Sequence, residues 1–234
     1  MAATPAPQSP AQKPTRRTPR QAGEAMTDRR SRILAVAAKR FAESGFEATT
    51  VRQIADDVNI LSGSLYHHFA TKDEMLHDIV RAPVEEQADR ARRIAAMPLP
   101  PEQRLATLIR TDLEAMTRQH EPAAILYAER KFFRRNPDFD YVVKAKKAAY
   151  LAWQTILEDG VRTGQFAAGT DIYLTISTTI RMLNTGADWF VHEDGSVLDV
   201  MGNYTLERLM DFYLSFILRS LRTPERAGLP IPAV

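Results

Sequence analysis

Residues 50 to 72 read Thr-Val-Arg-Gln-Ile-Ala-Asp-Asp-Val-Asn-Ile-Leu-Ser-Gly-Ser-Leu-Tyr-His-His-Phe-Ala-Thr-Lys. Apolar residues recur at helical spacing on both sides of Asn59, which predicts two short helices joined by a tight turn. The polar residues of the second of these helices face outward. This layout is typical of a helix-turn-helix, and it makes double-stranded DNA the first candidate partner.

Local signals within this stretch predict where the two helices begin and end. Thr50 and Gln53 have the spacing of a capping box, which starts the first of them. Asn59 tolerates the left-handed backbone that closes it. Because Leu61 has no side-chain oxygen, we expect Ser62 to cap the second helix instead.

The remaining chain shows helical periodicity almost throughout, so we predict an all-α fold. Thr27 is the expected cap of a first helix that ends at Gly45, and Thr71 with Glu74 predicts a capping box for a fourth. Proline residues divide residues 73 to 165 into four expected helices, and Pro83 predicts a kink or break inside the first of those four. The separating residues are Pro98, Pro100, Pro101, Pro122 and Pro137.

Composition limits the classes of protein. The 234 residues include 44% hydrophobic and 26% charged residues and no cysteine, which leaves no disulfide, thiolate nucleophile or cysteine metal site. No apolar run is long enough to span a bilayer, so a soluble cytoplasmic protein is expected. Metal-spaced histidines and a phosphate-binding loop are also missing, which argues against an enzyme and predicts no cofactor.

Positive charge is concentrated in the N-terminal part of the chain. Residues 1 to 72 hold 11 Lys or Arg against 6 Asp or Glu, a net charge of +5, and the remaining residues therefore carry −3 of the total +2. Residues 1–25 are expected to form a disordered basic tail, either an arm that contacts DNA or a solvated leader. The other predicted divisions are a helix-turn-helix domain at 26–72, a helical domain at 73–223 and a flexible tail at 224–234.

The motif resembles the N-terminal domain of TetR-type transcriptional regulators. The matching residues are Thr50, Ile54, Ala55, Gly63, Leu65, Tyr66, His68, Phe69 and Lys72. Two positions depart from the family pattern: Asn59 stands where Gly is usual, and Leu61 where Ser is usual. The resemblance implies a homodimer that binds a palindromic operator, with residues 73–223 serving ligand binding and dimerisation.

Side-chain chemistry divides the expected DNA contacts into two groups. The phosphate-binding group comprises Thr50, Ser62, Gly63 through its backbone, Tyr66 and Lys72. Base reading is expected from Arg52, Ser64 and His67. Leu65 could add a contact to a thymine methyl group, provided that it is not fully buried. Adjacent helical residues point about 100° apart, so His67 and His68 are not expected to share a metal ion.

Two apolar stripes, in residues 172–190 and 206–220, resemble the family's dimer-forming helices. The expected ligand-binding residues are Met116, Tyr127, Arg130, Phe133, Tyr150, Trp153, Arg181, Asn184 and Trp189. Arg181 lies in an otherwise apolar stretch and should have an anionic partner, either a protein carboxylate or a ligand. The Asp188-Trp189-Phe190 sequence resembles regulators of lipid metabolism, which suggests a hydrophobic effector such as an acyl-CoA.

The function that this sequence predicts is a ligand-responsive repressor that a hydrophobic small molecule releases from its operator. The alternative is a transcriptional activator, or a constitutive DNA-binding regulator without a small-molecule ligand.

Overall fold

A computed structural model describes residues 19–188 and 205–226, together with Gly228 and Pro230. The described chain is all-α and confirms the predicted fold class. An isolated bridge between Phe166 and Arg222 joins two loops. The α-helices are α1 (Pro19–Ser44), α2 (Val51–Asp57), α3 (Ser62–Leu65), α4 (Lys72–Ala95), α5 (Pro101–Arg118), α6 (His120–Ala128), α7 (Arg130–Arg135), α8 (Asp140–Arg162), α9 (Ile172–Asp188) and α10 (Leu206–Leu221), with short 3-10 helices at Pro137–Phe139 and Pro224–Arg226.

Helix α1 is longer than predicted. It begins at Pro19, so Thr27 lies inside the helix and the expectation that Thr27 caps it is wrong. A proline suits a first helical turn because its missing N–H would have no partner there. The helix ends at Ser44, and the following Gly45 has a φ of +85° and donates its N–H to the Phe41 carbonyl at 3.1 Å.

The predicted end of α2 is confirmed, whereas the predicted capping box at the start of α4 forms only in part, because Glu74 accepts from Ala70 instead of Thr71. Asn59 has a φ of 55°, in the left-handed region that closes the turn after α2. Thr71 accepts a hydrogen bond from the Glu74 N–H at 3.0 Å and caps α4. The Glu74 carboxylate accepts from the Ala70 N–H at 2.7 Å. Pro83 lies inside α4, and the helix continues past it to Ala95 without a break.

The prediction of four helices between residues 73 and 165 is wrong, because the structure divides this region into α4 to α8. The additional break falls at Glu129, where the N–H still donates to Ile125 at 2.9 Å while the carbonyl already accepts from Phe133 at 3.1 Å. Pro122 lies within α6, whose preceding break is at Gln119. The α6–α7 break could not be read from proline positions, because no proline marks it.

Buried side chains form two separate clusters. The lower core joins α1 to α4 with the α6–α8 region, and α4 packs along α8. The upper core joins α5 with α8, α9 and α10. The lower core includes Ile33, Phe41, Phe46, Ile54, Leu65, Phe69, Met75, Leu76, Ile125, Leu126, Phe133, Phe139 and Val142. The upper core includes Leu105, Leu108, Ile109, Met116, Trp153, Ile156, Phe166, Ile176, Leu183, Tyr213 and Leu218.

Charged groups tie the helices of the upper core together. Arg90 on α4 contacts the buried Asp112 of α5 at 2.7 Å. Arg104 contacts Asp159 at 2.8 Å, linking α5 to α8. Burial raises the pKa of the Asp112 carboxyl, although Arg90 and a hydrogen bond from Trp153 act in the opposite direction. Desolvation is therefore the largest effect at this buried ion pair.

Candidate DNA-binding surface and effector domain

The start of α2 is fixed by a reciprocal pair of hydrogen bonds. The Thr50 hydroxyl accepts from the Gln53 N–H at 3.2 Å, and the Gln53 amide oxygen accepts from the Thr50 N–H at 2.8 Å. The predicted capping box is confirmed. Thr50 is exposed at the entrance to the helix-turn-helix, where the predicted contact with a phosphate would be made.

Arg52 is the second residue of α2, and its side chain projects into solvent. Its side chain is 85% exposed, and its closest approach to the Asp56 carboxylate is 3.9 Å. An exposed pair at this distance contributes little energy. The guanidinium group is therefore available to another partner, as base reading would require.

Leu61 begins α3 without a side-chain hydrogen bond. The structure places it at the N-cap position, so the expectation that the cap shifts to Ser62 is wrong. The Leu61 carbonyl accepts from the Ser64 and Leu65 N–H groups at 2.8 and 3.3 Å, which fixes the start of the helix through backbone bonds. Its side chain is 80% exposed. The large apolar side chain of Leu61 is therefore exposed to solvent next to α3, the helix predicted to contact bases.

Helix α3 presents a polar face over a buried apolar anchor. Leu65 is fully buried, which excludes the conditional contact between its side chain and thymine. Tyr66 and His67 are exposed, and Ser62 and Ser64 are partly exposed. These polar side chains therefore share one accessible surface.

Gly63 lies on the same surface. A Cβ atom added at Gly63 would have no neighbour within 4 Å. Packing within the protein therefore gives no reason for a glycine here. Close approach of a phosphate to the backbone would give one.

Lys72 has an internal role that the sequence did not reveal. Its ammonium group donates to the carbonyls of Phe46 at 2.6 Å and Thr49 at 2.8 Å, and it lies 4.4 Å from the centre of the Phe46 ring. Lys72 therefore ties the start of α4 to the loop between α1 and α2. Phosphate binding by Lys72 remains a prediction, with part of its hydrogen-bonding capacity already used.

The same loop contacts the helices behind it. The Phe46 N–H donates to a Glu129 carboxylate oxygen at 2.9 Å, and the Phe46 and Phe132 rings lie 5.0 Å apart. Glu129 is the residue at the α6–α7 break. Sequence reasoning missed this contact, because a glutamate within helical periodicity reads as part of a solvated face.

The predicted ligand-binding residues fall into different parts of the molecule. Met116, Tyr150 and Trp153 meet at the upper core, where Trp153 is 2% exposed and Tyr150 packs at the edge. Phe133 belongs to the lower core and contacts Phe132 and Phe139 instead. Phe133 therefore packs under the helix-turn-helix, apart from the other apolar candidates.

The polar residues that were predicted to bind ligand also lie on different helices. Arg130 donates to the Tyr127 carbonyl at 3.1 Å, and its guanidinium carbon lies 5.4 Å from the centre of the Tyr127 ring. Arg181 is exposed on α9, so its charge can be solvated without the expected anionic partner, and ligand binding by Arg181 stays a prediction. Asn184 donates to the Ile180 carbonyl at 2.7 Å. Trp189 lies outside the described residues.

Helices α9 and α10 also expose large apolar side chains. Tyr173 and Leu174 are 65% and 58% exposed, and Phe212 and Phe216 are 59% and 56% exposed. The Phe212 and Phe216 rings are stacked with their centres 6.0 Å apart. Of the predicted stripe in residues 206–220, most apolar members point into the upper core, whereas Phe216 points outward.

None of the helices in the described ranges is long and apolar enough to cross a membrane.

These features define a class: all-α DNA-binding transcriptional regulators, with an N-terminal helix-turn-helix carried on a larger helical domain. The family model for bacterial regulatory proteins of the tetR family matches residues 33–79. The model for the tetracycline-repressor-like C-terminal domain matches residues 98–221. The chain belongs to the TetR family of transcriptional regulators.

Individual relatives are similar over most of the chain. The HTH-type transcriptional repressor KstR2 of Rhodococcus jostii (strain RHA1) is 35% identical over 196 residues, covering 84% of this chain and 92% of the relative. KstR2 of Mycobacterium tuberculosis (strain ATCC 25618 / H37Rv) is 37% identical over 149 residues, covering 64% and 74% of the two chains. The solved structure of the M. tuberculosis ketosteroid transcriptional regulator KstR2 has a TM-score of 0.73 and 31% identity, covering 83% of this chain and 95% of that one.

Proposed function

We propose that the protein is a homodimeric, ligand-responsive repressor that binds a palindromic operator. The observation that carries this proposal is the polar surface of α2 and α3, where Arg52, Tyr66 and His67 are exposed around the buried Leu65. The buried Leu65 fixes α3 against the core, while the neighbouring exposed side chains can donate hydrogen bonds, and this arrangement suits a helix that enters the major groove. Relatives named as transcriptional repressors support repression over the alternatives of activation and constitutive binding.

Different residues on this surface would supply affinity and sequence preference. Thr50, Ser62, Tyr66 and the backbone at Gly63 would bind phosphates, which adds affinity without selecting a sequence. Arg52, Ser64 and His67 would contact base edges. Lys72 would chiefly stabilise the helix-turn-helix, because its hydrogen bonds to the Phe46 and Thr49 carbonyls hold the loop that leads into α2.

The proposed dimer forms through α9 and α10. Four large apolar side chains are exposed on these two helices, and their burial would give a nonpolar centre to the interface. One short reading helix contacts only a few base pairs, so two copies are needed for a selective site. The two reading helices would then lie about one turn of DNA apart.

The proposed effector is a hydrophobic molecule, either an acid or its acyl-CoA thioester. Tyr150 lies at the edge of the upper core beside Trp153, where an apolar ligand would find aromatic surface. A relative described as a ketosteroid regulator makes steroid-derived ring systems the first compounds to test. Effector binding would favour a domain arrangement that fits DNA less well, at a coupling energy of about 1 to 3 kcal/mol.

Fluorescence anisotropy with DNA from upstream of its own gene tests the proposal. Wild-type protein should bind one sequence saturably, and salt should weaken that binding. Tyr66→Ala should weaken binding to all sequences by a similar factor, whereas Arg52→Ala should reduce the preference for the operator. Equal loss of preference in both variants would contradict the assigned roles, and the absence of sequence-selective binding would reject the repressor itself.

A second measurement tests the effector. Acyl-CoA thioesters of steroid-derived acids should raise the thermal midpoint of the protein and lower its affinity for the operator. A panel of such compounds that changes neither quantity would favour a regulator without a small-molecule ligand.

A further inference from the structure

Leu61 is the most exposed large apolar side chain in the described part of the chain. Its exposed fraction is 80%, against 65% for Tyr173 and 59% for Phe212. A single exposed leucine is common on protein surfaces and by itself needs no explanation. The position of Leu61 does need one, because this residue directly precedes α3, the helix predicted to contact bases.

The fold does not require a leucine at this position. Leu61 contributes its backbone carbonyl to the start of α3, where that carbonyl accepts from Ser64 and Leu65. The apolar contact of the turn is made by the preceding Ile60, which packs against the lower core and donates its N–H to the Ala55 carbonyl at 3.0 Å. A side-chain oxygen at an N-cap usually stabilises a helix, and leucine has none. A contact outside the protein would account for the leucine.

The surroundings of Leu61 leave its side chain open to such a contact. The next three residues are small, with Gly63 between Ser62 and Ser64. Leu65, four residues further along the chain, is fully buried and cannot reach a partner. Among residues 61–65, only Leu61 therefore presents a large apolar side chain to solvent.

The major groove of DNA offers an apolar group to a side chain at this place. The N-terminal residues of a recognition helix lie against base edges when the helix enters the groove. Most groups on these edges donate or accept hydrogen bonds, whereas the C5-methyl group of thymine is apolar. A leucine side chain can form no hydrogen bond with a phosphate or a base. The thymine methyl group is therefore the partner that its chemistry fits.

We infer that Leu61 is a specificity-determining residue that contacts the methyl group of one thymine in each half of the operator. This inference rests on the proposed operator binding through α3. Leu61 adds a preference for thymine over cytosine, because cytosine has no methyl group at this position. The family pattern usually has serine here, so the contact distinguishes this protein from regulators that carry the serine.

Replacement of single thymines by uracil tests the contact. Selection from random double-stranded DNA with the full-length protein first identifies the operator, and deoxyuridine then replaces each thymine in turn. Uracil keeps the hydrogen-bonding groups of thymine and lacks only the methyl group. At the contacted position, fluorescence anisotropy should show binding about fourfold weaker for one half-site and about fifteenfold weaker for both, the effect of leaving one methyl group unburied in each.

Variants at Leu61 assign this effect to the side chain. Leu61→Ala should bind the unmodified operator about fifteenfold more weakly, and uracil at the same positions should then cause no further loss. Leu61→Met should keep the uracil effect, because methionine retains a large apolar side chain. The salt dependence of binding should be unchanged in Leu61→Ala, since loss of an apolar contact leaves the number of phosphate contacts the same.

Leu99→Ala is the matched control. Leu99 is also an exposed leucine, with 39% of its surface accessible, and it follows the far end of α4. The 24 residues of α4 place it about 36 Å along that helix from the helix-turn-helix. Leu99→Ala should bind the unmodified and the uracil-containing operators like the wild type.

Several results would overturn the inference. It fails if no thymine shows a uracil effect in the wild type, or if the effect is equally large in Leu61→Ala. Sedimentation of the free protein gives a further check, because a changed oligomeric state in Leu61→Ala would show that Leu61 contacts a second copy of the chain instead.

Failure of this contact can be distinguished from failure of the proposed function. If the wild type selects no DNA sequence, the operator is rejected together with the contact. A selected operator without coupling between uracil and Leu61 rejects the thymine contact and leaves the repressor standing.

Discussion

The lower and upper cores are built by different means. The lower core consists of aliphatic and aromatic side chains, and it joins α1–α4 to α6–α8 across the sequence division between the two predicted domains. The upper core encloses charged groups, among them Asp112 with Arg90 on its edge. The candidate DNA-binding surface thus shares its apolar interior with α6–α8 of the C-terminal helical domain. The helices around the upper core are linked by the Arg90–Asp112 and Arg104–Asp159 ion pairs in addition to their apolar contacts.

Removal of an aromatic ring from the lower core should have the largest effect. Phe139 is fully buried and contacts Phe132, Phe133 and His77. Phe139→Ala should lower the free energy of unfolding by about 3 to 5 kcal/mol, because the ring leaves a cavity. Urea denaturation measures this loss.

Hydrogen exchange in the Phe139→Ala variant shows whether the lower core is shared. Amides of α2 and of the first turns of α8 should lose protection together. Unchanged protection in α2 would show that the helix-turn-helix is stable by itself. Tyr173→Ala is the control, because that side chain is 65% exposed.

Removal of one partner from the buried ion pair should affect the upper core. Asp112→Ala leaves the Arg90 guanidinium without its carboxylate, and we expect a loss of about 2 to 3 kcal/mol. The value is below that of a fully enclosed pair because the Arg90 side chain is 21% exposed. Thermal denaturation followed by circular dichroism measures it.

The double variant Arg90→Met/Asp112→Leu is the control for this experiment. Replacement of both charges by apolar groups should recover most of the stability. A double variant as unstable as Asp112→Ala would show that packing, and not an unpaired charge, causes the loss.

The pH dependence of stability should reveal the burial of the Lys146 ammonium group. The folded state lowers the pKa of Lys146 to about 8, below its ordinary value, so the charged form is destabilising. This penalty is fully present below pH 8 and is relieved as the pH rises toward about 10. Relative to Lys146→Met, the wild type should gain about 1 to 2 kcal/mol over that interval. A constant difference between the two proteins across this range would contradict the shift.

The smallest effect is expected at the start of α3. Leu61 is the N-cap residue and makes no side-chain hydrogen bond. Leu61→Ser should raise the free energy of unfolding by about 0.5 to 1 kcal/mol by supplying a cap. Leu61→Ala provides the comparison, since it shortens the side chain without adding an oxygen. Equal stability of the two variants would show that the cap does not form.

Local sequence rules predicted the features that depend on neighbouring residues. The Thr50–Gln53 box, the left-handed Asn59 and the cap at Thr71 each involve residues within a few positions. Base and phosphate roles on the same surface stay predictions. The expected cap at Ser62 was wrong because backbone bonds to the Leu61 carbonyl already start the helix.

Contacts between distant segments could not be predicted in this way. Lys72 meets carbonyls more than twenty residues away, and Glu129 meets a backbone N–H across 83 positions. Phe133 was expected near a ligand together with other aromatic residues, but its sequence position could not show that it enters the lower core. Arg181 was expected to need an anionic partner because its neighbours in sequence are apolar, yet the packing of α9 leaves its side chain in solvent.

The Glu129 contact also sets a condition for building chimeric regulators. Gly45 has a φ of +85°, which residues with a Cβ atom rarely adopt, so a substitution there would strain the loop that presents Phe46 to Glu129. If this helix-turn-helix were joined at residue 72 to a foreign helical domain, the Phe46 N–H would lose its Glu129 acceptor. Exchange of reading specificity between such proteins therefore requires the α6–α7 segment to be transplanted together with the N-terminal helices.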